Sequence, residues 1–395
     1  MSIFKEIKEI ISEIESNLVE IRRDLHRHPE LGFEEVRTAK VIATILTELG
    51  LTVKTGIART GVVGLLEGAQ AGPVIALRAD MDALTIEEKN QVPYASQDKG
   101  KMHACGHDAH VTILLGAAMV LSRLKDRLPG NVKFIFQPAE EGPGGAKPMI
   151  EQGVLENPPV DRILGLHVWL DLPAGQVGLK KGPGFASVDQ FDLLIKGKSA
   201  HGALPHQGVD AIVLAAQVIS ALQTAVSRKL DPTEPAVVTV GKIAGGYRRN
   251  IIAEEVGMEG TVRTVNPAVR TQLATTFKEI VGGICKAAGG DFELDYREGY
   301  PTLNNDDAVV ELIKEVATAV VGTDHIIEPD KPTLGGEDFA YFLERVPGCF
   351  FLLGARSEAK GITAPHHNPY FDLDESVLAL GVEMMVRSTL RLMEE

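Results

Sequence analysis

Seven apolar residues, Ile3, Ile7, Ile10, Ile14, Leu18, Ile21 and Leu25, recur at intervals of three and four. That spacing gathers one face of an α-helix, here an outer helix packing on a core. Beyond it the period changes. Val62–Leu66, Val74–Leu77, Val132–Phe136 and Ile163–Leu166 are short apolar runs bounded by Gly, Pro or charge, the form taken by buried parallel strands. Thr38–Leu49 and Val111–Leu124 between them have helical periodicity. Alternating strands and helices predict an α/β layer with helices on both faces of a mostly parallel sheet.

After Gly182–Gly184 the order of elements changes. Gln190–Ile195 reads as strand, Asp210–Ser227 as helix, Val237–Ile243 and Val256–Arg263 as strands, Ala268–Ala288 as helix and Phe292–Tyr296 as strand. This β-α-β-β-α-β succession is a split βαβ unit, as in ferredoxin-like folds. The first pattern then resumes with a helix at Ala308–Val320, a strand at Cys349–Leu353 and a closing helix at Glu375–Met393. The expected architecture is one domain inserted in another: residues 1–184 and 297–395 form a discontinuous α/β domain, and 185–296 form the insertion. No fixed-period repeat or low-complexity segment interrupts this plan.

Composition narrows the class. At 395 residues two domains are expected, and 44% hydrophobic with 24% charged residues is ordinary for a globular protein. A net charge of −14 argues against a nucleic-acid partner, which needs a basic surface. The acidic N-terminal stretch lacks the apolar run of a signal peptide, and Val111–Leu121 is too short to span a bilayer. Cys105, Cys285 and Cys349 are too few and scattered for a disulfide framework. A cytoplasmic protein without membrane contact is therefore expected.

The chemistry clusters where strands end. Val74–Leu77 runs into Asp80-Met81-Asp82, Val132–Phe136 into Glu140-Glu141, and Ile163–Leu166 ends on His167. The carboxyl ends of strands in open α/β sheets form the ligand crevice. The densest cluster is Met102 to His110, just before a helix. There Cys105 and His107, with Gly106 permitting a tight turn between them, can converge on one metal ion. The rival is a Cys-His nucleophilic pair. Of the adjacent Glu140 and Glu141, one carboxylate can ligate while the other handles protons. Two prolines stiffen the loop holding His366 and His367. Gly335–Phe339 reads equally as a helix cap or a functional turn. In the insertion, the Lys198–His206 loop, Asn250 and Arg263 read as an anion-binding rim, since the planar guanidinium suits a carboxylate.

Taken in order, RADMDAL, HACGHDAH, QPAEEGPGGA, GLHVW, SAHGALPH, GGEDF and HHNPYF resemble the M20 metallopeptidase family. Within it they are closest to the amidohydrolase branch of hippurate hydrolases, N-acetyl-diaminopimelate deacetylases, auxin-conjugate hydrolases and some carboxypeptidases. The motifs run from about residue 24 to about 374. Each alone is weak, but seven in order are specific. The resemblance implies Cys105, His107, Glu141, His167 and His367 as ligands of two divalent ions per subunit, with Zn²⁺, Mn²⁺, Co²⁺ and Ni²⁺ as candidates. It implies Glu140 as general base and acid, and Asp82 as a group orienting a ligand. His201 falls where the family supplies an oxyanion donor, from its own or a partner subunit. Asn250 and Arg263 fall where substrate carboxylate or oxyanion is held. The wider family often has His-x-Asp where this chain has Asp80-Met81-Asp82, which argues against Asp80 as a ligand. The insertion matches the family's lid and dimerisation domain, implying a homodimer or homotetramer.

The expected activity is metal-dependent hydrolysis of small N-acyl amino acids. A carboxypeptidase acting on short or N-blocked peptides is the alternative, since both cut an amide beside a free carboxylate. A catalytically silent conjugate-binding dimer is the least favoured, because it would not need Glu140.

Overall fold

The computed structural model describes residues 3–394. The chain divides into two compact units, one of residues 1–182, 304–330 and 341–395, the other of 183–303 and 331–340.

In the first unit the N-terminal periodicity becomes α1 (Ile3–Arg27), whose buried face includes Ile7, Ile10, Ile14, Leu18 and Leu25. It is followed by α2 (Val36–Glu48), β1 (Thr52–Ile57), β2 (Gly61–Leu66) and β3 (Val74–Asp80). Then come α3 (His107–Arg123), β4 (Asn131–Gln137) and β5 (Arg162–Pro173). An eight-stranded sheet runs β1-β2-β4-β3-β5, then Gly348–Arg356, Val177–Gly178 and Ile326–Ile327. The neighbours β4, β3, β5 and Gly348–Arg356 are parallel. Every residue of β3 is buried, as expected of a strand covered on both faces.

Three expectations need correction here. Val62–Leu66 is a strand, but it pairs antiparallel with β4 and with β1, which the sequence pattern did not reveal. The connection from β1 places Ala58 and Arg59 at positive φ, which lets the chain reverse tightly. The strand beginning at Ile163 does not end on His167, for β5 continues to Pro173. Its later residues stay paired with the parallel strand Gly348–Arg356, with a register shift between Gly354 and Arg356. The helix read as starting at Val111 begins instead at His107.

α3 is buried from His107 to Leu121, because α1 and the closing helix Val377–Met393 pack on it while β3 lies beneath. This all-round burial explains why its sequence is apolar rather than amphipathic. At its centre, a Cβ on Gly116 would lie 2.5 Å from Val382 Cγ2 and 2.8 Å from Leu18 Cδ2, so glycine sets how closely three helices approach.

The second unit realises the split βαβ order. Ser187–Lys196, Ala236–Gly245, Glu255–Thr264 and Asp291–Glu298 form an antiparallel sheet. Ser187–Lys196 lies between Glu255–Thr264 and Asp291–Glu298, and Ala236–Gly245 forms an edge. Helices Ala211–Ser227 and Pro267–Ala287 cover it around a core that includes Phe191, Leu193, Val218, Leu222 and Phe277. Asp210 and Asn266 cap these helices by accepting main-chain N–H groups. Residues 331–340 also belong to this unit, although their position in sequence assigned them to the first domain. Thr333 N donates to Gly184 O and Ala186 N to Gly335 O, each at 3.0 Å. No helix among the described residues is long and apolar enough to cross a membrane.

Replacing Gly116 with valine should lower stability by ~1–3 kcal/mol through overpacking. Thermal or urea unfolding of the metal-free protein would measure this, and an unchanged midpoint would show that the helices can move apart freely.

Candidate metal centre

The register of three parallel strands builds the floor of the site. Asp80 pairs with Gln137, and Arg78 pairs with Gly165, which brings His167 of β5 level with the end of β3. The chain leaves β3 and β4 at this height, so Asp82, Glu140 and Glu141 lie just beyond the strand ends.

Three of the segments entering the site are turned by a residue in the left-handed region. Gly106 has φ +88°, and a Cβ there would lie 2.4 Å from Val168 Cγ2. No larger side chain fits between Cys105 and His107 without displacement. Ala139, directly before Glu140, has φ +54°, and His367 has φ +61°. Non-glycine residues hold such conformations only where surrounding contacts enforce them. Glu35 Oε1 accepts Ala139 N–H at 2.9 Å, and His367 N donates to Ala104 O at 2.8 Å.

These turns bring the expected residues together. Ligand atoms of Cys105, His107 and His167 lie within 4.8 Å of one another, as do those of Cys105, Glu141 and His367, and those of His107, Glu140 and Glu141. Cys105 Sγ is 3.4 Å from His167 Nε2, and His367 Nε2 is 3.0 Å from Glu141 Oε1. His107 Nδ1 donates to the Asp82 carbonyl at 2.9 Å, and His167 Nδ1 to the Val168 carbonyl at 2.6 Å. Both imidazoles therefore present Nε2 to the centre with its lone pair available in the neutral form. His107 Nε2 is buried without a hydrogen-bond partner.

Other charged groups are fully engaged. The Asp82 carboxylate accepts Glu140 N–H at 2.9 Å and Glu141 N–H at 3.1 Å, fixing the turn that aims both side chains. Asp80 is spent on neighbours: its Oδ2 accepts from Arg78 Nη1 at 2.7 Å and its Oδ1 from His110 Nδ1 at 2.6 Å. His110 Nε2 accepts Val168 N–H at 2.9 Å. That bond fixes the tautomer, with the His110 proton on Nδ1, and leaves neither nitrogen for a metal. Sequence reasoning gave His110 no role. Its signal was the i, i+3 spacing from His107 on one helix face.

The electrostatics favour a cation. Burial works against charge on His107, but Asp80 and Asp82 outweigh it, and its pKa is pushed up to about 10. Burial, Glu141 and Glu140 push the Cys105 thiol well above its usual range. Burial, His110 and His366 hold His167 well below its own, so it stays neutral. A thiol, three imidazoles, one with a buried nitrogen that has no hydrogen-bond partner, and paired carboxylates form a mixed S/N/O donor set that fits divalent transition ions.

The remaining expected residues lie in the second unit. His201 is exposed on a two-stranded ribbon, paired with Ile251, and Gly202 N donates to Asn250 O at 2.9 Å. Its Nδ1 accepts Ala203 N–H at 3.1 Å, which leaves a proton on Nε2. Arg263 is on the strand Glu255–Thr264, outside the ribbon, and its Nε donates to Thr261 Oγ1 at 3.0 Å. Glu337 accepts Phe339 N–H at 2.8 Å, a local turn contact of the kind a cap makes.

The sequence model of Peptidase family M20/M25/M40 matches residues 76–391. The chain is 43% identical to the N-acetyl-L-cysteine deacetylase of Bacillus subtilis, covering 97% of this chain and 90% of that one. It is 40% identical to thermostable carboxypeptidase 1 of Saccharolobus solfataricus, over 96% of each. The crystal structure of Bacillus subtilis YXEP, a dinuclear metal binding peptidase from the M20 family, superposes with a TM-score of 0.85 at 36% identity. That match covers 97% of this chain and 99% of that one.

Replacing Asp82 with alanine leaves the Glu140 and Glu141 amides without their acceptor. Urea unfolding of the metal-free protein should show a loss of ~1–3 kcal/mol per buried donor stranded. Wild-type stability would mean that another acceptor takes over.

Proposed function

The chain belongs to Peptidase family M20/M25/M40, and on that footing we propose that it hydrolyses the amide bond of small N-acyl amino acids. Cys105, His107, Glu141, His167 and His367 would hold two divalent ions, drawn from Zn²⁺, Mn²⁺, Co²⁺ and Ni²⁺. The observation that carries this reading is the turn after β4. There one carboxylate joins the ligand cluster while its neighbour Glu140, held by the same Asp82, stands beside His107 and Glu141.

Divalent ions at this donor set would supply Lewis acidity, polarising a carbonyl and making water a usable nucleophile near neutral pH. Glu140 takes a proton from the attacking water and returns it to the leaving amine nitrogen, acting as base and then acid. Asp82 keeps Glu140 and Glu141 in their respective orientations. His110 braces Asp80 against the strand ends, so that carboxylate does not compete for the cations. His201, protonated on Nε2, donates to the developing oxyanion, a role worth on the order of 10²–10³ in rate. Asn250 and Arg263 hold the substrate carboxylate or the oxyanion.

A second reading, release of a C-terminal residue from short or N-blocked peptides, is favoured by the carboxypeptidase relative and uses the same groups. Assembly into a homodimer or homotetramer through the second unit is supported by its surface. Ile212, Val213, Ile243 and Tyr247 are more than half exposed there, and Ala236–Gly245 is an unpaired edge.

In the test, Glu140→Gln should retain its metal but lose turnover of N-acetyl and N-benzoyl amino acids by at least about 10²-fold. Chelation should silence the wild type reversibly. Near-normal turnover in the variant would remove Glu140 from proton transfer. If His201 acts on a partner's substrate, mixing inactive His201→Ala and Glu140→Gln proteins under subunit exchange should restore activity. Exchange without recovery would place His201 in its own chain's reaction.

A further inference from the structure

Behind the metal centre lies a second buried cluster of charges that the reaction does not use. Arg22 of α1 is fully buried. Its Nε lies 2.9 Å from Asp108 Oδ2, close enough for an ion pair although not aligned as a hydrogen bond. Its Nη2 donates to Asp372 Oδ1 at 3.0 Å and its Nη1 to Glu375 Oε1 at 3.3 Å. The Tyr94 ring lies under the guanidinium with its centroid 4.8 Å away, and Tyr94 OH donates to Asp372 Oδ2 at 2.7 Å. His26, one turn further along α1, donates from Nδ1 to Asp108 Oδ2 at 2.7 Å.

What these carboxylates are attached to gives the cluster its meaning. Asp108 directly follows His107 in the first turn of α3, two residues after Gly106. Asp372 and Glu375 close the loop that carries His366 and His367. One guanidinium thus joins the turn holding two expected ligands to the distant loop holding a third. Residues 107 and 367 are far apart in sequence, and each adjoins a left-handed residue or is one itself. Such turns persist only under external constraint. The planar fork is the part that fits, since it reaches three carboxylates along fixed directions where an ammonium would act as a point charge.

The geometry points to Arg22 as a positioning residue that sets the spacing between the Cys105–His107 turn and His367, and so tunes how tightly an ion between these segments is held. The inference rests on the metal-site reading above. It concerns metal affinity rather than catalysis: Arg22 reaches no ligand directly, and its influence passes through Asp108 on one side and Asp372 and Glu375 on the other. Groups that orient metal ligands from behind are worth 10–100-fold in affinity, and here that orientation comes from an N-terminal helix.

The test uses the full chain, stripped of metal and titrated with Co²⁺ alone, with affinity read by calorimetry and ligand geometry by the visible absorption of the bound ion. Arg22→Lys keeps the charge and loses the fork. Leu18→Ala, one turn earlier on α1 and buried in the apolar contact with α3, weakens the docking of the same helix without touching the charge cluster. Arg22→Lys should bind one Co²⁺ on the order of 10–100-fold more weakly with an altered spectrum. Leu18→Ala should keep wild-type affinity and spectrum even where its melting temperature falls as far. Wild-type affinity and spectrum in Arg22→Lys would overturn the inference alone. Equal losses in both variants would also overturn it, because the effect would then follow general loosening of α1. Wild-type protein that binds no Co²⁺ would overturn the metal-site reading itself.

Discussion

The parallel register of β3 against β4 and β5 is the constraint from which the rest of the centre follows. A shift of one residue would turn every side chain on β3 to the opposite face, and with it Asp80, which anchors Arg78 and His110. Because Asp80 meets Gln137 and stands level with His167, the chain leaves β3 and β4 at the height where β5, still within the sheet, carries His167. Their polar residues can then face each other across a few ångströms.

Charge assignment is the second organising principle. Several carboxylates lie close together below or at the protein surface, and burying each without a partner would be costly. Asp80 is matched by Arg78 and His110, Asp82 by two main-chain amides, and Asp108 by Arg22 and His26. Glu141 faces His367 at the centre, beside the Cys105 thiol and the other imidazoles. In this environment His107 is driven toward the charged state and Cys105 away from it. Both tendencies express an excess of negative potential concentrated at one point.

Much of this was legible in the sequence, and the reasons are specific. The strand runs at Val74 and Val132 were visible because burial on both faces leaves unbroken apolar stretches. The split βαβ unit was visible because its strands alternate and its helices do not, as in the burial pattern of Ser187–Lys196. Pairing partners were hidden. Periodicity cannot say that Val62–Leu66 runs antiparallel to its neighbour, or that residues 331–340 join the second unit through Gly184 and Ala186. The extent of β5 was hidden too, because polar Asp171 and Pro173 look like a strand end until a parallel partner is present. The ordered motifs pointed to Cys105, His107, Glu141, His167 and His367, and the structure gathers their side chains. His110 and Arg22 escaped notice because a lone histidine or arginine acquires meaning only from what the fold sets against it.

The strand Gly348–Arg356 occupies the place between β5 and Val177–Gly178 in the finished sheet. During synthesis it arrives about 170 residues later than either neighbour, roughly 10–35 s at ordinary rates of elongation. For that interval the growing chain carries β5 with one edge unpaired and a buried-type apolar sequence through Leu170, the kind of edge that invites pairing with other chains. The second unit, an antiparallel sheet with its own core, can be completed within the same interval. An insertion between two neighbouring strands therefore carries a cost in time: the exposure belongs to the nascent chain, and it has ended by the time the last helix is made.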